Sequence, residues 1–344
     1  MSGNLLELNN LSISFDTPKG EVQAVRNVSL QLKPGEILGV VGESGCGKTV
    51  MCKSVMKLLP KNAHIKSGSI IVDGEDITDY NEKKMRQLRG GKLSMVFQDP
   101  MTTLNPTIPI GKQITEAIQK HKKVSNEEAK ARAIELLDLV GIRDANERFK
   151  LQPHFFSGGM RQRCVIAVAL ASEPKILFAD EATTALDVTV EEKILNLLLD
   201  IRTKLNLGMI FISHDLGAVA KVADRVAVMY AGKIVEIGTA EDIYYDPRHP
   251  YTWGLLSSLP ALAKKDGELN FIQGMPPILI DPPPGDAFAV RNKYAMAIDY
   301  EKEPPMFPVS ETHSAATWLL DERAPRVVSP VNLRKRSALW QQIQ

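Results

Sequence analysis

The stretch Gly42 to Thr49 reads GESGCGKT and follows the apolar run EILGVV. It satisfies G-x-x-x-x-G-K-[ST], the pattern of a phosphate-binding loop. In that pattern Gly42, Gly45 and Gly47 let backbone N–H groups wrap a polyphosphate, with Glu43, Ser44 and Cys46 between them. Lys48 reaches the β- and γ-phosphates, and the Thr49 hydroxyl is available to Mg²⁺. A glycine-rich turn without a ligand is the plainer alternative, but the flanking strand and helix patterns are those the phosphate mechanism requires. The loop uses backbone donors, so Cys46 is expected as a tolerated small side chain and not a nucleophile.

Three further strand ends carry compatible chemistry. KILFADE, Lys175 to Glu181, is an apolar strand that ends in two acids. Asp180 is expected to face Mg²⁺, and Glu181 to act as general base or to orient the attacking water. Gln98, after KLSMVF, offers an amide to Mg²⁺ or water, and His214, after GMIFIS, offers an imidazole to the γ-phosphate. An isolated glutamine, histidine or acidic pair is ordinarily a surface feature; strands of one α/β sheet, however, gather ligands at their carboxyl ends. FFSGGMRQR presents Ser157, Gly158 and Gly159 just before the helical run CVIAVALA. Adjacent glycines weaken a helix start, so they imply that something approaches the backbone closely, and a helix N-terminus favours an anion.

The elements that must position these groups are legible from periodicity. LSISF, AVRNVSLQL, EILGVVG, GSIIVDG, KLSMVFQ, KILFAD, GMIFISHD, RVAVMYAG and KIVEIG read as strands, and VMCKSVMKLL, SNEEAKARAIELLDLVG and TVEEKILNLLLDIRTKL as helices. Buried strands alternating with helices predict a mostly parallel sheet with covered faces, and a chiefly helical subdomain from about 100 to 171. Of 21 prolines, 11 fall between Pro260 and Pro330, which places a boundary there: an α/β domain over 1–260 and a loop-rich extension over 261–344. The final LRKRSALWQQIQ is expected as a solvated terminal helix, with a basic contact patch as the alternative.

Composition narrows the function classes. At 344 residues with 44% hydrophobic and 24% charged content, the chain can bury one large core and a smaller satellite. A net charge of +1 gives no broad electrostatic reason to bind nucleic acid. Apolar runs such as VIAVALA are far shorter than the roughly 20 residues of a membrane span, and MSGNLLELNN lacks a secretory signal pattern. Three cysteines, Cys46, Cys52 and Cys164, fit a reducing compartment better than a disulfide framework.

The order and spacing of GESGCGKT, Gln98 in VFQDP, FSGGM, ILFADE, the TALD of Thr184 to Asp187 and His214 in ISHD resemble the ATP-binding cassette (ABC) ATPases. More narrowly, FQDPMTTLNP, FSGGMRQR, ADEATTALDV and HPYTWGLL are similar to the ATPase subunits of oligopeptide and dipeptide permeases. Met160 after the glycines resembles the first, D-type, ATPase of a pair, because the second generally reads SGGQ. The resemblance implies a P-loop fold of ABC type with a mostly parallel core sheet, an antiparallel N-terminal β-subdomain, a helical subdomain and the C-terminal extension. It implies hydrolysis of ATP with Mg²⁺, in an importer built with two membrane permease subunits and, indirectly, an external peptide-binding protein. The chain would then sit on the cytoplasmic face of the membrane.

The same resemblance gives roles to further residues. Ser157, Gly158 and Gly159 would close over the γ-phosphate held by a second, SGGQ-type ATPase subunit, and Asp187 would line that interface. Phe15, at the end of LSISF, matches the aromatic that stacks on adenine, with a plain core phenylalanine as the rival reading. DPMTTLNP after Gln98 would line the groove for a permease helix, or be only a connecting loop. Phe156 and Ala182 depart from the usual leucine and proline. Relatives commonly carry four cysteines suited to an iron–sulfur cluster where this chain has Asp286, Asn292, Asp299 and Thr317, so no cluster is expected. Nickel importers share much of this sequence and are the alternative for cargo. Outside transport, the alternatives are a soluble ABC ATPase acting on DNA or ribosomes and a non-hydrolysing ATP-binding module. The first would need a long coiled-coil insertion or a second cassette, and Glu181 and His214 speak against the second.

Overall fold

The computed structural model describes residues 3–97, 99–184, 186–259 and 272–331. Gln98, Ala185 of TALD and the segment LRKRSALWQQIQ, apart from its place in the sequence, lie outside them. The chain opens with strands β1 (Leu6–Thr17), β2 (Gly20–Leu32) and β3 (Ile37–Val41), then helix α1 (Lys48–Val55) and strands β4 (Ala63–Val72) and β5 (Glu75–Asp76). Helix α2 (Glu82–Leu88) leads to β6 (Leu93–Val96), and helices α3 (Pro100–Thr103), α4 (Ile110–His121), α5 (Asn126–Leu139), α6 (Ala145–Arg148) and α7 (Gly158–Leu170) follow. Then come β7 (Ile176–Asp180), α8 (Val188–Leu205), β8 (Gly208–Ser213), α9 (Leu216–Val222), β9 (Arg225–Tyr230) and β10 (Lys233–Thr239). Helices α10 (Ala240–Tyr245), α11 (Pro250–Ser257) and α12 (Ala297–Glu301) precede the short strands β11 (Phe307–Pro308) and β12 (Ser314–Ala315).

These elements form two compact units that cut across sequence order. One comprises essentially residues 72–212. In it β6, β7 and β8 run parallel, with Val96 opposite Ala179 and Asp180 opposite Ile212. Every residue of β7 is buried, as a strand covered on both faces requires. The helices show why this segment is helical: Ile110, Ile114 and Ile118 recur every fourth residue along the buried stripe of α4. Helix α5 begins at a capping box in which Ser125 and Glu128 satisfy each other's backbone N–H groups.

The second unit holds most of the first 71 residues together with the described residues from Ser213 onward. Its core sheet pairs β3 parallel to β9, and β9 antiparallel to β10. A separate sheet places β1 between β2 and β4. The two-residue link of Pro18 and Lys19 makes β1 and β2 a hairpin. Hydrogen bonds joining Asn9 to Ser69 and Asp16 to Asn62 show that β4 runs antiparallel to β1. The extension adds to this unit: β12 lies antiparallel on β10, with Glu236 opposite Ala315, and β11 lies on β12. Among the described residues after Pro260 regular structure is sparse, as the prolines predict, yet the extension covers the edge of β10, which the sequence did not reveal.

Candidate active site

The loop Gly42–Thr49 emerges from the fully buried β3 and enters α1, with Gly47 as a left-handed N-cap (φ 104°). A Cβ on Gly42 would run into the carbonyl oxygen of Met229, and φ is +151° there, so only glycine fits. Lys48 is buried, and its ammonium donates to the carbonyls of Gly42 (2.7 Å) and Glu43 (3.0 Å), with Cys46 Sγ at 3.6 Å. The cation is therefore held over the centre of its own loop, where a polyphosphate would meet it. Ser44 and Gly45 are exposed, and Thr49 is half-buried. Cys46 is buried, and burial pushes its thiol up despite the Lys48 charge, so little thiolate forms.

Phe15 and His214 belong to the same unit as this loop. Phe15 is half-buried near the end of β1. His214 is exposed immediately after β8.

Asp180, Glu181, Asp187 and the Ser157–Gly159 segment belong to the other unit. Asp180 closes β7 and is buried. Glu181 follows in a left-handed conformation (φ 50°), its N–H donating to the Ile212 carbonyl and its Oε2 accepting from Thr184 Oγ1 at 3.2 Å. A glutamate at positive φ is uncommon and costs about 1–3 kcal/mol, a strain that concentrates at functional sites. Asp187 is exposed, and its carboxylate caps α8 by accepting from the Val190 N–H at 3.0 Å.

Helix α7 starts at Ser157, whose hydroxyl accepts from the Met160 N–H at 3.4 Å. The two glycines that follow have different reasons to be glycine. A Cβ on Gly159 would meet Val190 Cγ1 at 2.5 Å, so this glycine is required by packing against α8. A Cβ on Gly158 would meet nothing within 4 Å, and Ser157 and Gly158 are both exposed. Gly159 thus has a reason within its own chain to lack a side chain, beside the ligand approach expected of the pair, and Gly158 has no such packing reason.

Sequence reasoning passed over a layer of side chains behind the P-loop. His249 caps α11 by accepting the Tyr251 N–H on Nδ1 (3.0 Å), with Pro250 in the first turn, and this start aims Tyr251 inward. The Tyr251 hydroxyl accepts the Glu43 N–H at 2.8 Å. Its ring packs with Tyr230 (4.6 Å between centroids) and Phe288 (5.4 Å). Burial holds His249 far down, at about 3, so it is neutral, and it pushes the Tyr251 phenol well above its usual range. Arg291 of the extension forms a two-pronged ion pair with the Glu43 carboxylate, at 2.6 and 2.9 Å. HPY at a helix start was the available signal; nothing local marks Arg291.

The four extension positions tied to cysteines are all buried. Each accepts a nearby backbone N–H: Asp286 from Phe288 (2.9 Å), Asn292 from Tyr294 (2.9 Å), Asp299 from Met296 (2.6 Å) and Thr317 from Leu319 (3.3 Å). Their donor set holds no thiolate and does not fit an iron–sulfur cluster. Burial, with the negative charges of Asp299 and Glu303 adding to it, pushes Asp286 up to about 6; the Phe288 N–H and Lys233 oppose this.

A nucleoside triphosphatase of the ATP-binding cassette class is what this fold and these loops define, and comparison with known proteins agrees. Residues 25–184 match the ABC transporter family and residues 235–298 the C-terminal region of oligopeptide/dipeptide transporters. The dimeric post-hydrolysis structure of the ATP-binding cassette MJ0796, bound to ADP and Pi, superposes with a TM-score of 0.61 at 26% identity, covering 68% of this chain and 98% of that one. The oligopeptide transport ATP-binding protein OppD of Bacillus subtilis is 57% identical over 95% of this chain and 92% of its own length. The dipeptide transport ATP-binding protein DppD of Lactococcus lactis is 51% identical over 99% and 98%. The chain belongs to the ATP-binding proteins of oligopeptide and dipeptide ABC transporters. Among the described residues no helix is long and apolar enough to cross a membrane.

Proposed function

We propose that this chain hydrolyses ATP to ADP and phosphate to power import of oligopeptides or dipeptides, as the peripheral ATPase subunit on the cytoplasmic face of the membrane. Two permease subunits form the channel, an external binding protein delivers cargo, and an SGGQ-type ATPase is the partner. Residues 1–260 are the ATPase domain, with its helical subdomain near 100–171, and 261–344 the extension. The observation that carries the reading is the phosphate cradle in which the buried Lys48 ammonium hangs over the Gly42 and Glu43 carbonyls.

Gly42, Glu43, Ser44, Gly45, Cys46, Gly47, Lys48 and Thr49 hold the triphosphate, and Phe15 stacks on adenine. Thr49, Asp180 and Gln98 offer Mg²⁺ the oxygen donors a hard cation takes, and the buried Asp180 carboxylate supports this fit. The ion, when bound, neutralises charge on the β- and γ-phosphates. Glu181, held by its strained backbone and by Thr184, orients the attacking water and accepts its proton. His214 donates to the γ-phosphate. Ser157, Gly158 and Gly159, with Asp187 at the interface, complete the site of the partner ATPase; the exposed Ser157 and the open space over Gly158 support that reading. No iron–sulfur cluster is held.

Each reaction centre is completed by a second polypeptide, so ATP turnover by the strictly monomeric chain, measured against the assembled transporter at equal nucleotide, should be slower by roughly 10² or more. Equal turnover would refute the composite site.

A further inference from the structure

The extension has no part in the catalytic assignments above, yet one of its side chains reaches the P-loop. Arg291 is almost fully buried, at 5% side-chain exposure. All five of its N–H groups have acceptors. Nη1 donates to Glu43 Oε2 (2.6 Å) and the Tyr230 hydroxyl (3.2 Å), and Nη2 to Glu43 Oε1 (2.9 Å) and the Ile272 carbonyl (3.4 Å). Nε donates to the Gln273 carbonyl (2.9 Å). A guanidinium so completely engaged has a fixed place and fixes its partner's.

That partner is the second residue of the phosphate loop, and it is fastened at three points. The Glu43 carboxylate takes the Arg291 fork, its N–H donates to Tyr251, and its carbonyl accepts the Lys48 ammonium and the Cys46 N–H (3.3 Å). Two consequences bear on an anionic ligand. The fork sets the orientation of the backbone that carries Lys48, and it neutralises a carboxylate within the phosphate loop whose negative charge would otherwise act on incoming phosphates.

We propose that Arg291 is a positioning residue for ATP: through its forked ion pair with Glu43, the C-terminal extension holds the P-loop in its phosphate-binding geometry and cancels the Glu43 charge. This rests on the P-loop being the ATP site. The extension is then a brace for the nucleotide site of its own chain, and its fold is required for ATP affinity.

The test is steady-state ATPase kinetics on the assembled transporter, with equilibrium binding of a fluorescent ATP analogue to the full chain. Arg291→Gln should raise KM roughly tenfold or more, with a much smaller change in kcat, because cradle geometry acts on bound ATP and transition state alike. Adding Glu43→Gln removes the unneutralised carboxylate and should lower KM again by several-fold. Arg291→Lys keeps the charge and loses the fork, so an intermediate rise of about threefold is expected; it carries the test if the glutamine variant does not fold. An unchanged KM in a folded Arg291 variant, or a Glu43→Gln effect that multiplies with Arg291→Gln instead of rescuing it, overturns the proposal. Lys48→Ala separates the two readings: if it binds the analogue like the parent, the P-loop assignment itself fails. If Lys48→Ala abolishes binding while Arg291→Gln leaves it untouched, only the brace fails.

Discussion

The two glycine-rich segments of this chain, Gly42–Thr49 and Ser157–Gly159, are finished differently. The loop Gly42–Thr49 is closed on itself: Met229 forbids a side chain at Gly42, Tyr251 and Arg291 fasten Glu43, and Lys48 is hydrogen-bonded inside. The segment Ser157–Gly159 is closed on one side only, where Val190 forbids a side chain at Gly159; at Gly158 it opens onto space. A motif that grips its own ligand needs its geometry enforced from within. One that serves a ligand held elsewhere must leave its donors outward. The glycine pair, uniform in sequence, therefore records two separate demands.

The comparison can be broken or sharpened experimentally. The largest effect is expected at Glu181: Glu181→Gln in the assembled transporter should lower kcat by roughly 10²–10⁴ while leaving ATP binding in place. An unaffected rate removes Glu181 as the base. Next comes Gly158, where alanine adds a methyl group to open space. Thermal melting of the isolated chain should be unchanged or slightly raised by the gain in helix propensity, while transporter ATPase falls roughly tenfold. Normal ATPase in Gly158→Ala would show that nothing approaches this backbone. Gly159→Ala should do the reverse in isolation, destabilising the chain by about 1–3 kcal/mol through overpacking against Val190, as read by denaturant unfolding.

The extension offers a smaller, pH-dependent effect. Asp286 keeps its proton up to about pH 6 when folded, against about 3.9 for an unfolded aspartate. Between those values the folded state binds more protons, so this group's contribution to stability declines as pH rises from about 4 to about 6 and is level above. Asp286→Asn should flatten that part of the pH–stability curve, by on the order of 2 kcal/mol, in denaturant titrations at several pH values. The smallest effect is at Cys46, where alanine should change KM for ATP less than about twofold, since the thiol is buried, protonated and not a phosphate ligand.

Local patterns carried the strands well. EILGVV, KILFAD and GMIFIS became β3, β7 and β8 because a doubly covered strand is a continuous apolar run readable within a few residues. The helix TVEEKILNLLLDIRTKL became α8 for the matching reason, a sustained 3.6-residue stripe. The strand β12 was illegible: two residues, Ser314 and Ala315, have no periodicity, and pairing with β10 and β11 makes them a strand. The positive φ of Glu181 was equally hidden, since strain is imposed by surroundings that the acid itself does not encode.

What the sequence by itself determined was the chemistry: a phosphate loop, an acidic strand end, a glycine pair at a helix start and an extension without thiols, each written in contiguous residues. What only the tertiary structure decided was which of these features answer to one another. Gly159 meets Val190 and Gly158 meets nothing, and Arg291 finds Glu43 across 248 residues of chain. Local steric and hydrogen-bonding demands repeat in every copy of a motif and so can be read from it. A forked ion pair between distant segments exists only where the tertiary fold brings them within hydrogen-bonding reach, here beside the packed rings of Tyr230, Tyr251 and Phe288.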